Sequence, residues 1–327
     1  MLTSTNITAL KMLRQNLTVK ANQPEYDSLF RDMSPVRTIY WTAPGDPPSM
    51  YARSDFDDLE YNYERRANRE IVKGRFQGGG VGYVESGELE IFACLYRKDI
   101  ERLTPLQFKL VDLLEHEGPL NIKGIKEITG LLVKEISPEL HKLQEAFIVY
   151  EDQVDNEGDR GWYLFEREFE DVNLKKYTKN EALKIILPRF AKLNVAFDEN
   201  MARSYYKLPL AEIKTAIGEL ADSGIIVKTE YGYMLKEDFE FFELENDLNR
   251  NFDLPKSVYL LHRNDFLVKS NEHYLKEKYK KNVLHYILIN GEFKGAVYGG
   301  FKFGSPVIEH VETEGDVGDA VKLFYNL

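Results

Sequence analysis

The stretch that decides the fold is residues 178–236, TKNEALKIILPRFAKLNVAFDENMARSYYKLPLAEIKTAIGELADSGIIVKTEYGYMLK. Leu183, Ile186, Leu187 and Phe190 recur at helical spacing, and Asp198 is placed to cap a second short helix carrying Met201, Ala202 and Tyr205. Pro209 stands at the first position of a third helix, whose apolar stripe is Leu210, Ile213, Ile217 and Leu220, and Gly224 suits the residue after its end. IIVKTE and YMLKE then flank Tyr231-Gly232 as two short strands around a turn. Three helices followed by a hairpin is the order of a winged helix, a helix-turn-helix with a β wing.

Upstream, the same order returns from Thr104. Leu106, Leu110, Leu113 and Leu114 make a first stripe, Ile122, Ile125 and Ile128 a second, and Ile136, Leu140, Leu143 and Phe147 a third. FIVYEDQ and WYLFERE can pair across the acidic loop VDNEGDR, while Pro138 must sit in the first turn of the third helix or kink it. The expected fold class is therefore α+β: tandem winged-helix domains at 104–172 and 173–236, an N-terminal helical region with a short sheet element at 1–103, and a linker helix with a small antiparallel sheet at 237–327.

In the N-terminal region, Ile7, Leu10, Leu13 and Leu17 suit one amphipathic helix, and Tyr26, Leu29 and Phe30 begin another. TAPGDPPS, residues 42–49, cannot continue a helix. Asp55 can cap a helix with Phe56, Leu59 and Tyr63 on its buried side, while Arg65, Arg69 and Lys73, at intervals of four, would share another side. That stripe reads either as a solvated face paired with nearby acids or as a phosphate track. Gly78, Gly79, Gly80 and Gly82 do not give Gly-x-Gly-x-x-Gly and no Gly-Lys-Ser/Thr follows, so they serve a sharp bend or a close approach rather than a cofactor loop. At the other end, VLHYILI and GAVYGGFKF read as strands around the Asn290-Gly291 turn, before a helix over 317–325.

Composition narrows the function classes. The 327 residues are 43% hydrophobic and 13% aromatic, enough for a sizeable core in two or three domains. No apolar run reaches the length of a membrane span and MLTSTNITALKMLRQ lacks a signal-peptide core, so a cytoplasmic, membrane-free protein is expected. The single Cys94 excludes an intrachain disulfide or a cysteine-based zinc site, and the six histidines show no metal spacing, so no metal or cofactor is expected. A formal net charge of -11 argues against indiscriminate binding to nucleic acid, but local clusters decide. Lys175, Lys176, Lys179, Lys184, Arg189 and Lys192 form the densest basic stretch and, with Arg65, Arg69, Lys73 and Arg75, are the candidate phosphate contacts. The third helices carry only Lys134, His141 and Lys142 or Lys214, which favours backbone or shape recognition over base readout.

DPPSMYAR, REIVKGRFQGGGVGYV, PLAEIKTAIGELADSGIIV and YILINGEFKGAV, in this order, give the chain a resemblance to the bacterial tandem winged-helix DNA glycosylase superfamily, the AlkZ-like and YcaQ-like proteins. The resemblance covers most of the chain and implies a bacterial, cytoplasmic protein that binds double-stranded DNA, intact or damaged, in a basic channel, removing alkylated or crosslinked bases. The family's Gln-x-Gln or Gln-x-Asp pair falls on Ala43 and Gly45, and its Arg-Gly-Thr-x-His stretch on residues 78–82, so both motifs are missing. Hydrolysing an N-glycosidic bond needs a carboxylate or carboxamide to orient water and stabilise an oxocarbenium-like sugar. Asp46, with Gln77 as helper, is the candidate pair, although Asp before Pro-Pro is also a common turn residue. Tyr40 and Trp41 could stack on a base or pack in the core. Three functions remain open: a DNA glycosylase, a non-catalytic DNA-binding protein or regulator, and a protein-interaction module.

Overall fold

A computed structural model of the chain describes residues 2–39, 46–152, 161–244, 256–279, 282–302 and 305–325. The first helices are set by their caps. Thr3 accepts from the amide of Asn6 at the start of α1 (Ser4–Arg14), and Asn22 and Glu25 form a reciprocal capping box on α2 (Gln23–Met33). β1 (Val36–Arg37), α3 (Asp58–Ala67), β2 (Ile71–Phe76), β3 (Gly80–Glu85) and α4 (Leu89–Tyr96) follow, with the strands in the antiparallel order β1-β3-β2. Next come α5 (Pro105–Glu117), β4 (Leu120–Asn121), α6 (Ile122–Thr129), α7 (Val133–Glu145), β5 (Val149–Asp152) and β6 (Gly161–Leu164), with a β4-β6-β5 sheet, then α8 (Phe165–Glu168). The decisive stretch folds as α9 (Lys179–Asn194), α10 (Glu199–Tyr206), α11 (Leu210–Asp222), β7 (Ile226–Thr229) and β8 (Gly232–Leu235). After α12 (Lys236–Leu244), the chain ends in β9 (Val258–His262), α13 (Phe266–Ser270), α14 (Glu272–Lys278), β10 (Val283–Ile289), β11 (Glu292–Lys302), β12 (Ser305–Thr313) and α15 (Ala320–Tyr325).

This is a mixed helix-and-strand architecture with small antiparallel sheets. The C-terminal sheet runs β12-β11-β10-β9. Its central hairpin turns on Asn290 and Gly291, both left-handed at φ 51° and 82°, a conformation those residues tolerate and most others do not. The main core is organised on α9, whose Leu183, Ile186, Leu187 and Phe190 are all buried and which packs against α1, α2, α4 and α11. Tyr26, Phe30, Phe76, Phe92, Tyr205 and Ile213 lie in the same cluster, so the N-terminal region and the 179–235 unit share one interior. Leu110, Leu114, Ile125, Ile136, Leu140, Leu143, Val149 and Trp162 form a separate cluster within the 105–164 unit.

Several expectations need correction. The cap of α3 is Asp57, which accepts from the amides of Leu59 and Glu60 at 3.1 Å, not Asp55. The Arg65–Arg69–Lys73 stripe does not lie on one helix: α3 ends at Ala67, Arg69 is left-handed at φ 61°, and Lys73 stands on β2. Leu13 and Ile128, assigned to apolar stripes, are 46% and 55% exposed. Pro138 lies in the second turn of α7, Pro209 is the residue before α11, and the last helix begins at Ala320 rather than at 317. Tyr40, Trp41, Ala43, Gly45, the 154–160 loop and the acidic stretch from 245 to 253 lie outside the described residues.

Candidate nucleic-acid interface

The β2–β3 hairpin reaches the place where the two helical units come together. Its register closes at Phe76 opposite Gly80, leaving Gln77, Gly78 and Gly79 as the tip, all left-handed at φ 29°, 78° and 81°. A Cβ on Gly78 would sit 4.0 Å from Cβ of Lys207, after α10, and one on Gly79 would press to 2.9 Å from Oε1 of Glu145, at the end of α7. The tip thus lies beside both units, and the left-handed φ of Gly78 and Gly79 accounts for these glycines as a sharp bend rather than a phosphate cradle. Gln77 is 3% exposed. Its Oε1 accepts from Nε of Arg37 at 2.7 Å, and its carbonyl accepts from Nη2 of the same guanidinium at 2.6 Å. Its amide nitrogen faces the Tyr205 hydroxyl without a well-formed hydrogen bond. Burial pushes the Tyr205 phenol well up, and that hydroxyl instead donates to the carbonyls of Met33 and Pro35.

Beside the tip opens a groove of about 590 Å³ between the α10–α11 turn and α14. Arg203, Lys207 and Lys276 bring three cations to its wall against the single carboxylate of Glu272, with Ser204 and His273 between them. Lys207 is placed by the left-handed backbone, φ 56°, that ends α10. Arg203 makes no ion pair among the described residues, and its side chain is exposed. A second groove of about 750 Å³, between α2, α9 and α12, has four cations, Arg189 and Lys192 among them, balanced by four acids. The first is the electropositive one.

The basic residues singled out from sequence divide by burial. Arg65 is 4% exposed, its guanidinium over the Phe30 ring and 3.1 Å from Glu85, so it is turned inward. Lys73 is also buried, 3.0 Å from Glu151. Arg69 binds Asp152 and Glu168 over the rings of Tyr150 and Tyr163, and Arg75 donates to Gln144 and the Gly79 carbonyl. Arg69, Lys73 and Arg75 thus tie this region to α7, β5 and α8, whereas Arg65 stays within the N-terminal region. Lys175 is exposed and makes no ion pair among the described residues; Lys176, Lys179 and Lys184, also at the surface, pair with Glu90, Glu212 and Glu219. Such exposed pairs are screened by solvent and yield readily to a polyanion. Arg189 is half-buried against Glu88.

Asp46 and Gln77 are not brought together by any hydrogen bond. Asp46, 8% exposed, accepts from the hydroxyl of Tyr63, whose phenol is pushed up to about 12, by burial first and by Asp46 second. Among the described residues no three His, Cys, Asp or Glu side chains converge to hold a metal ion, and no helix is long and apolar enough to cross a membrane. Sequence reasoning missed Arg37, Arg203, Lys207 and Lys276. The spacing of four between Arg203 and Lys207 was visible, but only the fold carries Lys276 across to them.

No protein-family model matches the chain, and no curated protein matches its sequence. Among solved structures, the fold is similar to that of the Streptomyces sahachiroi DNA glycosylase AlkZ, with a TM-score of 0.65 and 14% identity over 94% of this chain and 90% of that one. At that identity the likeness speaks to the fold: this chain has an AlkZ-like fold over nearly its whole length.

Proposed function

We propose that this protein is a DNA glycosylase-like protein of the bacterial cytoplasm, binding double-stranded DNA through two consecutive winged helices at 104–172 and 173–236. The observation that carries the reading is the AlkZ-like fold, matched over 94% of the chain rather than in one module. Two local features support it. Each unit has the three-helix-plus-hairpin order, and Arg203, with no ion pair among the described residues, opens with Lys207 and Lys276 onto a groove at the turn before α11. The exposed Lys175, Lys176, Lys179 and Lys184 extend the basic surface, whereas the inward Arg65 and Lys73 are left out of it. The test is fluorescence anisotropy of a labelled duplex at low and moderate salt. Binding that weakens steeply with salt is expected, since each neutralised phosphate adds about -0.9 to the slope of log K against log salt. No binding at low salt would leave the protein-interaction reading.

A second reading, hydrolysis of an N-glycosidic bond, is favoured by Asp46: a buried carboxylate fixed by Tyr63 at the edge of residues 40–45. In this reading the carboxylate orients water toward the anomeric carbon and stabilises positive charge on the sugar, work worth about 10²–10⁴-fold. Gln77 would act as a positioning residue for Arg37 and the hairpin tip. Release of an alkylated base from duplex DNA, measured for the wild type and Asp46→Asn, decides it. A wild type that binds duplex without releasing base reduces the protein to its binding role.

A further inference from the structure

We infer that the Arg203–Lys207–His273–Lys276 groove is a binding site for one phosphate group, and that the carboxylate of Glu272 occupies it as a built-in competitor. The source of the phosphate, a DNA strand, rests on the reading above; the site itself does not.

Three ammonium groups converge on Glu272. Lys207 donates to one oxygen, Lys269 donates to the other at 2.8 Å, and Lys276 approaches that second oxygen at 3.2 Å. Three ammoniums carry nine N–H donors, against about four lone-pair positions on one carboxylate. Arg203 adds a guanidinium with no ion pair among the described residues, in the last turn of α10, just before the left-handed Lys207 that ends it. Ser204 and His273, their Oγ and Nδ1 3.2 Å apart, supply further polar groups on the wall. The cluster thus holds more donors than its own acceptor can use. A tetrahedral anion with three free oxygens is the ligand that would satisfy the excess.

The same geometry explains why the site needs a competitor. Lys269 is held down by burial, and both Arg37 and Lys207 repel its charge, so these cations crowd one region. Lys207 and Lys269 in turn hold the Glu272 carboxyl down to about 2, keeping it ionised. Without an anion the groove would be an unbalanced positive patch; with Glu272 in place it is quiet until a stronger anion enters. Only the side chain of Glu272 needs to turn away, because it stands at the first residue of α14 and the helix cap is Asn271.

The experiment is titration calorimetry with inorganic phosphate, followed by duplex anisotropy, on the full chain as wild type, Glu272→Gln and Glu272→Asp. Glu272→Gln removes the competing charge and is expected to bind phosphate about tenfold tighter than wild type, within the usual range for coupled binding. It should also bind duplex tighter, with the log–log salt slope steeper by about one unit. Glu272→Asp keeps the charge but withdraws it by one methylene, gives an intermediate gain, and serves if the amide variant does not fold. Lys276→Glu, at a side chain 68% exposed, should cancel the gain when added to either variant. If neither Glu272 variant binds phosphate more tightly than wild type, Glu272 only orders the lysines and the inference fails. A gain toward phosphate with no duplex binding by any variant would keep the site and remove DNA as its source.

Discussion

Residues 105–164 and 179–235 pass through nearly the same order of elements, yet they bury them in opposite ways. In the first unit, α5 hides only Gln107, Leu110 and Leu114, and the cluster around Leu140 and Trp162 draws its members from residues 100–164. In the second, α9 is buried on several sides, and Phe190 packs on Phe197, Tyr205, Tyr206 and Phe266, the last from the C-terminal region. A helix apolar on one stripe belongs to the rim of a fold, and a helix apolar nearly all round to its centre. The difference extends to the turns before the third helices. The first unit exposes Leu132 and Val133 there; the second presents Lys207 to the basic groove. Two runs of one element order thus serve as a satellite and a hub, and the hub contributes Arg203 and Lys207 to the basic groove.

The sharpest way to break that comparison is to hollow out each core. Phe190→Ala should cost about 3–5 kcal/mol and lower the midpoint of the whole transition, since its cavity opens where the N-terminal region, the second unit and α13 meet. Leu140→Ala should cost about 2–5 kcal/mol in its own cluster. Hydrogen exchange separates them: amides of α5, α6 and α7 should lose protection in the Leu140 variant while those of α9 keep theirs. Loss of protection in α9 as well would mean that the satellite is no independent unit.

Acid should strike the C-terminal sheet first. His262 and His285 face each other on β9 and β10 with ring centroids 5.7 Å apart, and burial lowers both, His285 to about 3. The unfolded chain takes up these protons near pH 6.5 and the folded one resists, so their contribution is complete above pH 6.5 and is lost as pH falls from there toward 3. The slope is about 1.4 kcal/mol per pH unit for each histidine, so the loss for the two should reach about 3–4 kcal/mol by pH 5.5 to 5. Urea midpoints measured from pH 7 to 4.5 should fall, and His285→Gln should flatten the fall. The first unit's amides should be the last to respond.

Much of the hub was legible because its signals are local. Asp198 accepts from Met201 at 2.8 Å as its position before the apolar run suggested, and Gly224 has the left-handed φ of 72° that helix ends favour. The basic stripe misled because a spacing of four has meaning only inside one helix, and Asn68 and Arg69 end that helix before the stripe is complete. Burial was not legible at all. Nothing in Arg65 or Lys73 announces a carboxylate 20 or 78 positions away in the chain, whereas Glu85 and Glu151 wait for them in the fold. The groove escaped for the same reason, since Lys207 and Lys276 meet across two regions.

Binding tests the same contrast at lower energy. Arg203→Ala with Lys207→Ala removes two cations from the hub's groove and should weaken duplex binding about tenfold at low salt, with a salt slope shallower by one to two units. Glu272 complicates only the sign for Lys207, because losing that lysine also frees part of the carboxylate's charge. Arg203→Ala alone is therefore the cleaner variant, and equal affinity for it and wild type would move the phosphate surface elsewhere, to Lys175 and its neighbours.

The smallest expected effect is in the satellite. Lys134 and Lys142 are the cations of its third helix; Lys142 is 59% exposed and 2.7 Å from Glu139, one turn back. Replacing both with alanine should change stability by less than about 0.5 kcal/mol, because exposed side chains and i,i+3 pairs contribute little. If α7 makes no phosphate contact, duplex affinity should stay within about twofold of wild type, since exposed charges more than a Debye length of about 8–10 Å from the strand are largely screened. A loss as large as that of the Arg203 and Lys207 double variant would place phosphate on α7 as well. Leu132 and Val133 would then be apolar contacts flanking a DNA strand rather than bare surface, and the two units would differ in how they are buried but not in what they touch.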